Sequence, residues 1–510
     1  MLSATSGTTY PPLNTLELST PVLAASRPPS PSVFAPSANV AKSLSSRPPS
    51  PGQDSPTVPG TPTEDTERRM HRLEMDDGGA EEGAVELPPV DGGRGAWSFL
   101  VAAFLLECFV WGYSYSFSAV LVYLQSHDPW QKESLSALSA IGTTQLGIQL
   151  CTPIAAIFVF KRYAEYIRKI LWASLVLSCA SMLLSSWAKE TWQLILTQGI
   201  LCGLGNTLLY STVYLWLGEW WYTRRSFAWG IVQAGTGAGG TAFPFVLNAL
   251  LHNLGFAWTC RFWAIITAVV FAFSIYLVKP RIPTVKPRGA RGPWLAVDWR
   301  FLRSPTYNTF YLAALTAALS YMPVSIYLAT YASSFSSSTI TLDLVVGLFN
   351  FAAVFGSILS GWMSDLSWWA TTVFCGLANA VISLTAFGFA NSIGKVYAFA
   401  VLFAFCGQHN STWTGVTKDV AGADPNTSTV ILCIYSIVRG IASLVMPVVS
   451  DRLYNAKAAQ DKAAWGRYGF KNMIIFVGLS SFLLAISGVV LGSVRKYELG
   501  KRERAREGRS

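Results

Sequence analysis

From Trp97 onward, apolar residues come in runs of about 20 separated by short polar stretches. Twelve such runs can be marked, at 97–121, 136–160, 170–188, 192–217, 227–250, 259–279, 306–331, 342–363, 368–390, 395–417, 428–450 and 472–494. Each is long enough to cross a hydrocarbon core of about 30 Å as a helix. They lack the strict alternation of barrel strands and are too long for them, so the pattern predicts an all-α integral membrane protein. The stretch 280–305 is polar, basic and rich in proline, and it divides the runs six and six. The expected organisation is therefore a tail at 1–96, a six-helix half at 97–279, a basic loop at 280–305, a second six-helix half at 306–494 and a basic tail at 495–510.

Composition narrows the class. Hydrophobic residues make up 51% of the chain and charged residues 13%, about half the charged fraction of a soluble protein. An ordinary soluble enzyme is excluded on that ground. The net charge of +10 is unevenly spread: residues 1–96 hold 7 basic and 12 acidic side chains, and the rest hold 31 and 16. The positive charge lies between apolar runs, which points to membrane orientation and away from nucleic acid. With the N-terminus inside, the inner connections and C-terminal tail hold 21 Lys and Arg against nine outside. Both termini are expected in the cytoplasm, in the plasma membrane or alternatively the vacuolar membrane. The tail at 1–96 contains 15 of the 26 prolines and reads as disordered. There Ser30, Ser50, Ser55 and Thr61 precede proline, so the tail is either a substrate for cytosolic kinases or a spacer. The eight cysteines form no CxxC pair and the four histidines no HExxH. No metal, cofactor or disulfide framework is expected, and no cluster of nucleophile and base suggests an enzyme.

Two motifs carry a family resemblance. DGGRGAW (Asp91–Trp97) precedes the first run, and EWWYTRRSFAWGIVQAGTGAGG (Glu219–Gly240) follows the fourth. Together they resemble the signatures of the monocarboxylate-porter family of the major facilitator superfamily. Trp111–Gln125, SGWMSD at Ser360–Asp365 and the YSIVRG segment around Arg439 look like a fungal branch of it. The resemblance implies the major facilitator fold, with substrate bound near the midplane between two six-helix halves that rock. It also makes Asp365 an inter-helix gating acid, with Arg224 and Arg225 at the same end. Its counterpart in Lys161–Lys169 is degenerate. Gly235, Gly237, Gly239 and Gly240 suit close helix approach. The chain departs from the animal porters, however. Their titratable lysine and Asp–Arg pair align with Ala119, Ala353 and Ser357, so the familiar proton-coupled lactate mechanism does not follow.

Charges inside the runs single out candidate site residues, because each costs at least about 2.5–3.5 kcal/mol at mid-membrane. Glu107 lies near the middle of the first run and Arg439 near the middle of the eleventh. Arg439 could clamp a carboxylate, and Glu107 could couple protons. In the tenth run, Gln408, His409 and Asn410 are consecutive polar residues, with His409 a second coupling candidate. Asn206 and Tyr210, and likewise Trp111 and Tyr115, are four apart and share a helix face. Gln233 sits among the glycines of the fifth run. The expectation is a secondary active transporter of a small organic solute, foremost a monocarboxylate or related organic acid, with protons as a possible co-substrate. The alternative is an exporter of a fungal secondary metabolite. An alternative of another class is a transporter-like membrane sensor.

Overall fold

The computed structural model describes residues 87–283, 294, 297–336, 338–422, 424–458, 460, 461 and 463–507. The expected disorder of the tail up to residue 86, its kinase sites, and most of 284–296 lie outside the described residues. Within them the chain is helical and contains no strand. In chain order the helices are α1 (Gly93–Ser126), α2 (Leu135–Cys151), α3 (Pro153–Arg162), α4 (Ile167–Ser185), α5 (Thr191–Trp220) and α6 (Arg225–Leu277). They continue as α7 (Pro305–Ser333), α8 (Thr339–Ile382), α9 (Ile393–Cys406), α10 (Trp413–Ala421), α11 (Pro425–Leu453) and α12 (Lys471–Glu507).

Among the described residues, eight stretches are long and apolar enough to cross a membrane, and α2 with α3, bent by 44° at Thr152, make a ninth. Two of the eight exceed a single crossing. The 53 residues of α6 would extend about 80 Å if straight. The helix is broken at Gly255, whose φ of 75° suits glycine. The other, α8, is interrupted by an extended residue, Ser367. The sequence separated these as distinct runs. The structure joins runs five and six, and eight and nine, across one-residue breaks. The tenth run is instead divided by the turn Gly407–Thr412, which leaves α9 and α10 short.

Helix starts follow local chemistry. Pro153, Pro305 and Pro425 stand at first-turn positions, where no N–H is missed. Ser304 caps α7 by accepting from Tyr307 N at 3.4 Å. Glycines then set the packing of α6. A Cβ on Gly235 or Gly239 would lie 2.5 or 2.6 Å from carbonyl oxygens of α1, and one on Gly230 2.4 Å from Ser357 O of α8. The stripe expected for close approach therefore serves two neighbours at once, which places α6 between α1 and α8.

The buried apolar residues form three contiguous cores. One joins N- and C-terminal helices and includes Phe99, Leu217, Trp229, Phe310, Trp413 and Tyr435. It lies toward the end of the bundle where α1 begins and the apolar part of α12 finishes, here named the termini end. Toward the far end the N-terminal helices keep their own core around Phe117, Leu251 and Trp263. The C-terminal helices keep another around Leu328, Phe399 and Phe470.

Candidate substrate site

Where the shared core meets the two separate ones, six of the predicted residues converge. Glu107, Trp111 and Tyr115 of α1, Tyr210 of α5, Gln233 of α6 and Arg439 of α11 line a single cavity. Its volume is about 10 Å³, room for roughly one water. Sequence reasoning missed further wall residues, notably Tyr214, Trp229, Thr236, Trp413 and Ser436. Tyr214 was within reach of it, being four residues beyond Tyr210 on the same face. Trp413 is exposed to the cavity only because the chain turns at Gly407–Thr412.

The walls are aromatic and the charges are few. Trp111 meets Tyr210 edge-on at 5.6 Å between ring centroids, Tyr210 meets Tyr214 at 5.1 Å, and Tyr214 lies 5.6 Å from Trp229. Glu107 is buried, and one carboxylate oxygen accepts from the Thr236 hydroxyl at 2.5 Å. Its other oxygen has no hydrogen-bond partner among the described residues. Arg439 stays partly accessible and stands 6.0 Å from the Tyr115 ring. No carboxylate lies within 4 Å of it among the described residues; Glu107 and Arg439 face the same cavity without forming an ion pair.

Other candidates are placed elsewhere. Asn206 turns toward α4, accepting from the Ser178 hydroxyl at 2.8 Å. Gln408 bonds back to Ala404 O at 2.8 Å and to the Tyr321 hydroxyl at 3.4 Å. His409 is buried against Phe310, ring centroids 5.3 Å apart, and neither ring nitrogen has a partner. Asn410 contributes its carbonyl, which accepts from Trp229 Nε1 at 3.1 Å. It thus buttresses a cavity wall from behind.

At the termini end the gating candidates find partners that the sequence did not reveal. Asp365 of α8 accepts from the backbone N–H groups of Ser226 and Phe227, each at 2.8 Å. It caps α6 from another helix, using the free N–H groups of a helix start. Arg225 donates to the Ser428 hydroxyl of α11 at 3.0 Å, whereas Arg224 is exposed. The bond to Ser428 turns Arg225 inward. Lys418 of α10 reaches Tyr222 O at 3.4 Å and lies 4.4 Å over the Tyr222 ring.

The two signature motifs also prove to be one structural unit. The Asp91 carboxylate accepts from the N–H groups of Tyr222, Thr223 and Arg224 at 2.9–3.0 Å. Burial is the largest single influence on its pKa and works upward. Those N–H bonds together outweigh it and hold Asp91 below the usual carboxylate value. Gly95 lacks the Cβ that would sit 2.6 Å from the Trp220 ring.

Among the described residues, the arrangement defines a membrane protein with a central aromatic cavity bearing Arg439 and Glu107, and with bonds between N- and C-terminal helices at one end. A sequence model of the Major Facilitator Superfamily matches residues 99–447, and the chain belongs to that superfamily. Among its relatives is the aspyridones efflux protein apdF of Emericella nidulans. It is 25% identical over 72% of this chain and 74% of its own length. The fujikurins efflux protein of Gibberella fujikuroi is 23% identical over 80% of this chain and 84% of its own. The transporter dbaD of Emericella nidulans is 27% identical over 62% and 70%. The protein is therefore a transporter of the major facilitator type and not an enzyme. No comparison singles out the monocarboxylate porters, and relatives named for efflux favour the export alternative over the organic-acid expectation.

Proposed function

We propose that this protein exports a small, largely apolar organic solute carrying an acidic group, by alternating access between two six-helix halves. The observation that carries this reading is Arg439, ion-paired with no carboxylate among the described residues, in a cavity walled by Trp111, Tyr115, Tyr210, Tyr214, Trp229 and Trp413. Aromatic faces suit a flat apolar body, and a planar guanidinium suits an enolate or carboxylate. The efflux relatives support the direction. The breaks at Gly255 and Ser367, the bent α2–α3 pair and the interrupted α9–α10 segment support twelve crossings. The basic inner connections support cytoplasmic termini, and with them a state closed toward the cytoplasm. Glu107, with one oxygen held and one unpartnered, is the place where a coupling proton or a substrate donor would bind.

The test is retention of labelled aromatic weak acids, and of their neutral esters, in yeast lacking its own exporters. Cells expressing the protein should retain less of the acid. Arg439→Ala should abolish the preference for acid over ester. A charged hydrogen bond of about 1.5–3 kcal/mol corresponds to a loss of roughly tenfold or more. Wild-type discrimination by Arg439→Ala at full surface expression would remove the residue from the site. Uptake of a labelled monocarboxylate, driven by a pH gradient, would instead favour the organic-acid reading.

A further inference from the structure

A second cavity lies away from the central site, in a groove between α8 and α12 at the termini end, with a volume of about 690 Å³. Its walls are apolar, formed by Val373 and Trp369 of α8 and Val489 of α12. Its mouth is basic, with Arg495 and Lys496 side by side where the last apolar run ends. Gly492 lets the Trp369 ring lie against α12, since a Cβ there would come within 2.8 Å of that ring. Arg495 is fixed by a 2.6 Å bond from Nε to Asp419. Neither of its Nη groups has a hydrogen-bond partner among the described residues, and its side chain is 38% exposed. Two independent features thus meet: an apolar trough running along the bundle, and a cationic mouth with donors unused by the protein.

We propose that this groove binds an anionic phospholipid, its acyl chain along Val373 and Val489 and its phosphate at Arg495 and Lys496. Charge complementarity selects the occupant. Both side chains at the mouth are cations, and the helix continues with Lys501, Arg502, Arg504 and Arg506 against Glu498, Glu503 and Glu507. The site also touches the gate. Asp419, which holds Arg495, sits beside Lys418 on α10, and Lys418 reaches Tyr222 near the start of α6. A lipid phosphate competing with Asp419 for Arg495 therefore acts on the helix that bridges the termini end.

The full-length protein, reconstituted in phosphatidylcholine vesicles with and without phosphatidylserine, provides the test through its thermal unfolding midpoint. Phosphatidylserine should raise the midpoint of the wild type, and soluble glycerol phosphate should not. Lys496→Gln, which leaves the Arg495–Asp419 bond intact, should lose part of the rise; with Arg495→Gln added, most of it should go. Val489→Trp fills the trough, keeps both cations and should also lose most of it. An equal rise in the wild type and the double variant would overturn the site. A full rise in Val489→Trp would reduce the effect to surface charge, and an equal rise with glycerol phosphate would replace the lipid by free phosphate.

Discussion

Two helix starts at the termini end solve the same problem in opposite ways. The helix α11 begins with its own acid: Asp424 accepts from Asn426 N at 2.9 Å and from Thr427 N at 3.2 Å. By contrast, α6 begins at Arg225 with no side-chain cap of its own, and its acid, Asp365, comes from α8, 139 positions along the chain from Ser226. A local cap stabilises a helix in every conformation of the protein. A cap supplied by another helix exists only while the two helices touch, so the free energy of capping α6 also biases the protein toward closure at this end. The degenerate Lys161–Lys169 segment fits this asymmetry. Lys161 of that segment stands near Asp424, so a base faces the local cap of α11 from the N-terminal helices.

The sharpest way to break the contrast is Gly361→Val. A Cβ at Gly361 would lie 2.4 Å from Ser226 O, so even a small side chain must push α8 off the start of α6. Overpacking of this kind costs about 1–3 kcal/mol. A cysteine placed at Ser226, which is buried here, should then react with a thiol reagent about tenfold faster or more, and transport should fall. Unchanged labelling would mean that this contact does not hold the end closed.

Next in size is the pair Asp365→Ala and Asp424→Ala, each removing a cap valued at about 0.5–2 kcal/mol. Both should lower the unfolding midpoint, but only Asp365→Ala should raise labelling of a cysteine at the buried Ser226 position. Equal labelling in the two variants would erase the distinction between a remote and a local cap.

The smallest effect expected is with acid. Burial is the largest influence on Asp424 and works upward, but its bonds with Thr427 and Asn426, together with Lys161, hold it below the usual carboxylate value. Its contribution is therefore present above that value and lost as pH falls through the lower folded-state pKa. Asp91 follows the same sign. Acid unfolding followed at Asp424→Asn should lose this part of the pH dependence below about pH 4, with its deficit relative to the wild type full and independent of pH near neutrality.

Much of this was legible in the chain. The gaps between runs five and six, and between eight and nine, fall at Gly255 and near Ser367, because a glycine or a polar residue interrupts hydrophobicity where a helix breaks. Glu107 and Arg439 were legible because charge is costly in a membrane. The partner of Asp365 was not legible: backbone N–H groups carry no residue code, and only the fold shows which helix start they belong to. Asn206 misled for a geometric reason. Four residues bring it to the same face as Tyr210 but also one turn along the axis, and there the hydroxyl of Ser178 on α4 is nearer than the cavity. Gln408, His409 and Asn410 could not be sorted from the sequence, because the turn at Gly407 ends the helical spacing that would have assigned their faces.

The central cavity, with room for about one water, has a consequence for the cell as a whole. Each elementary charge that crosses a membrane held at 100 mV dissipates about 2.3 kcal/mol. A carrier that kept a continuous file of water through its resting form would short-circuit that voltage at every copy. With aromatic rings packed around a space for about one water, this conformation presents an electrical seal. The protein can be made in quantity without draining the gradient on which the membrane's other transporters run.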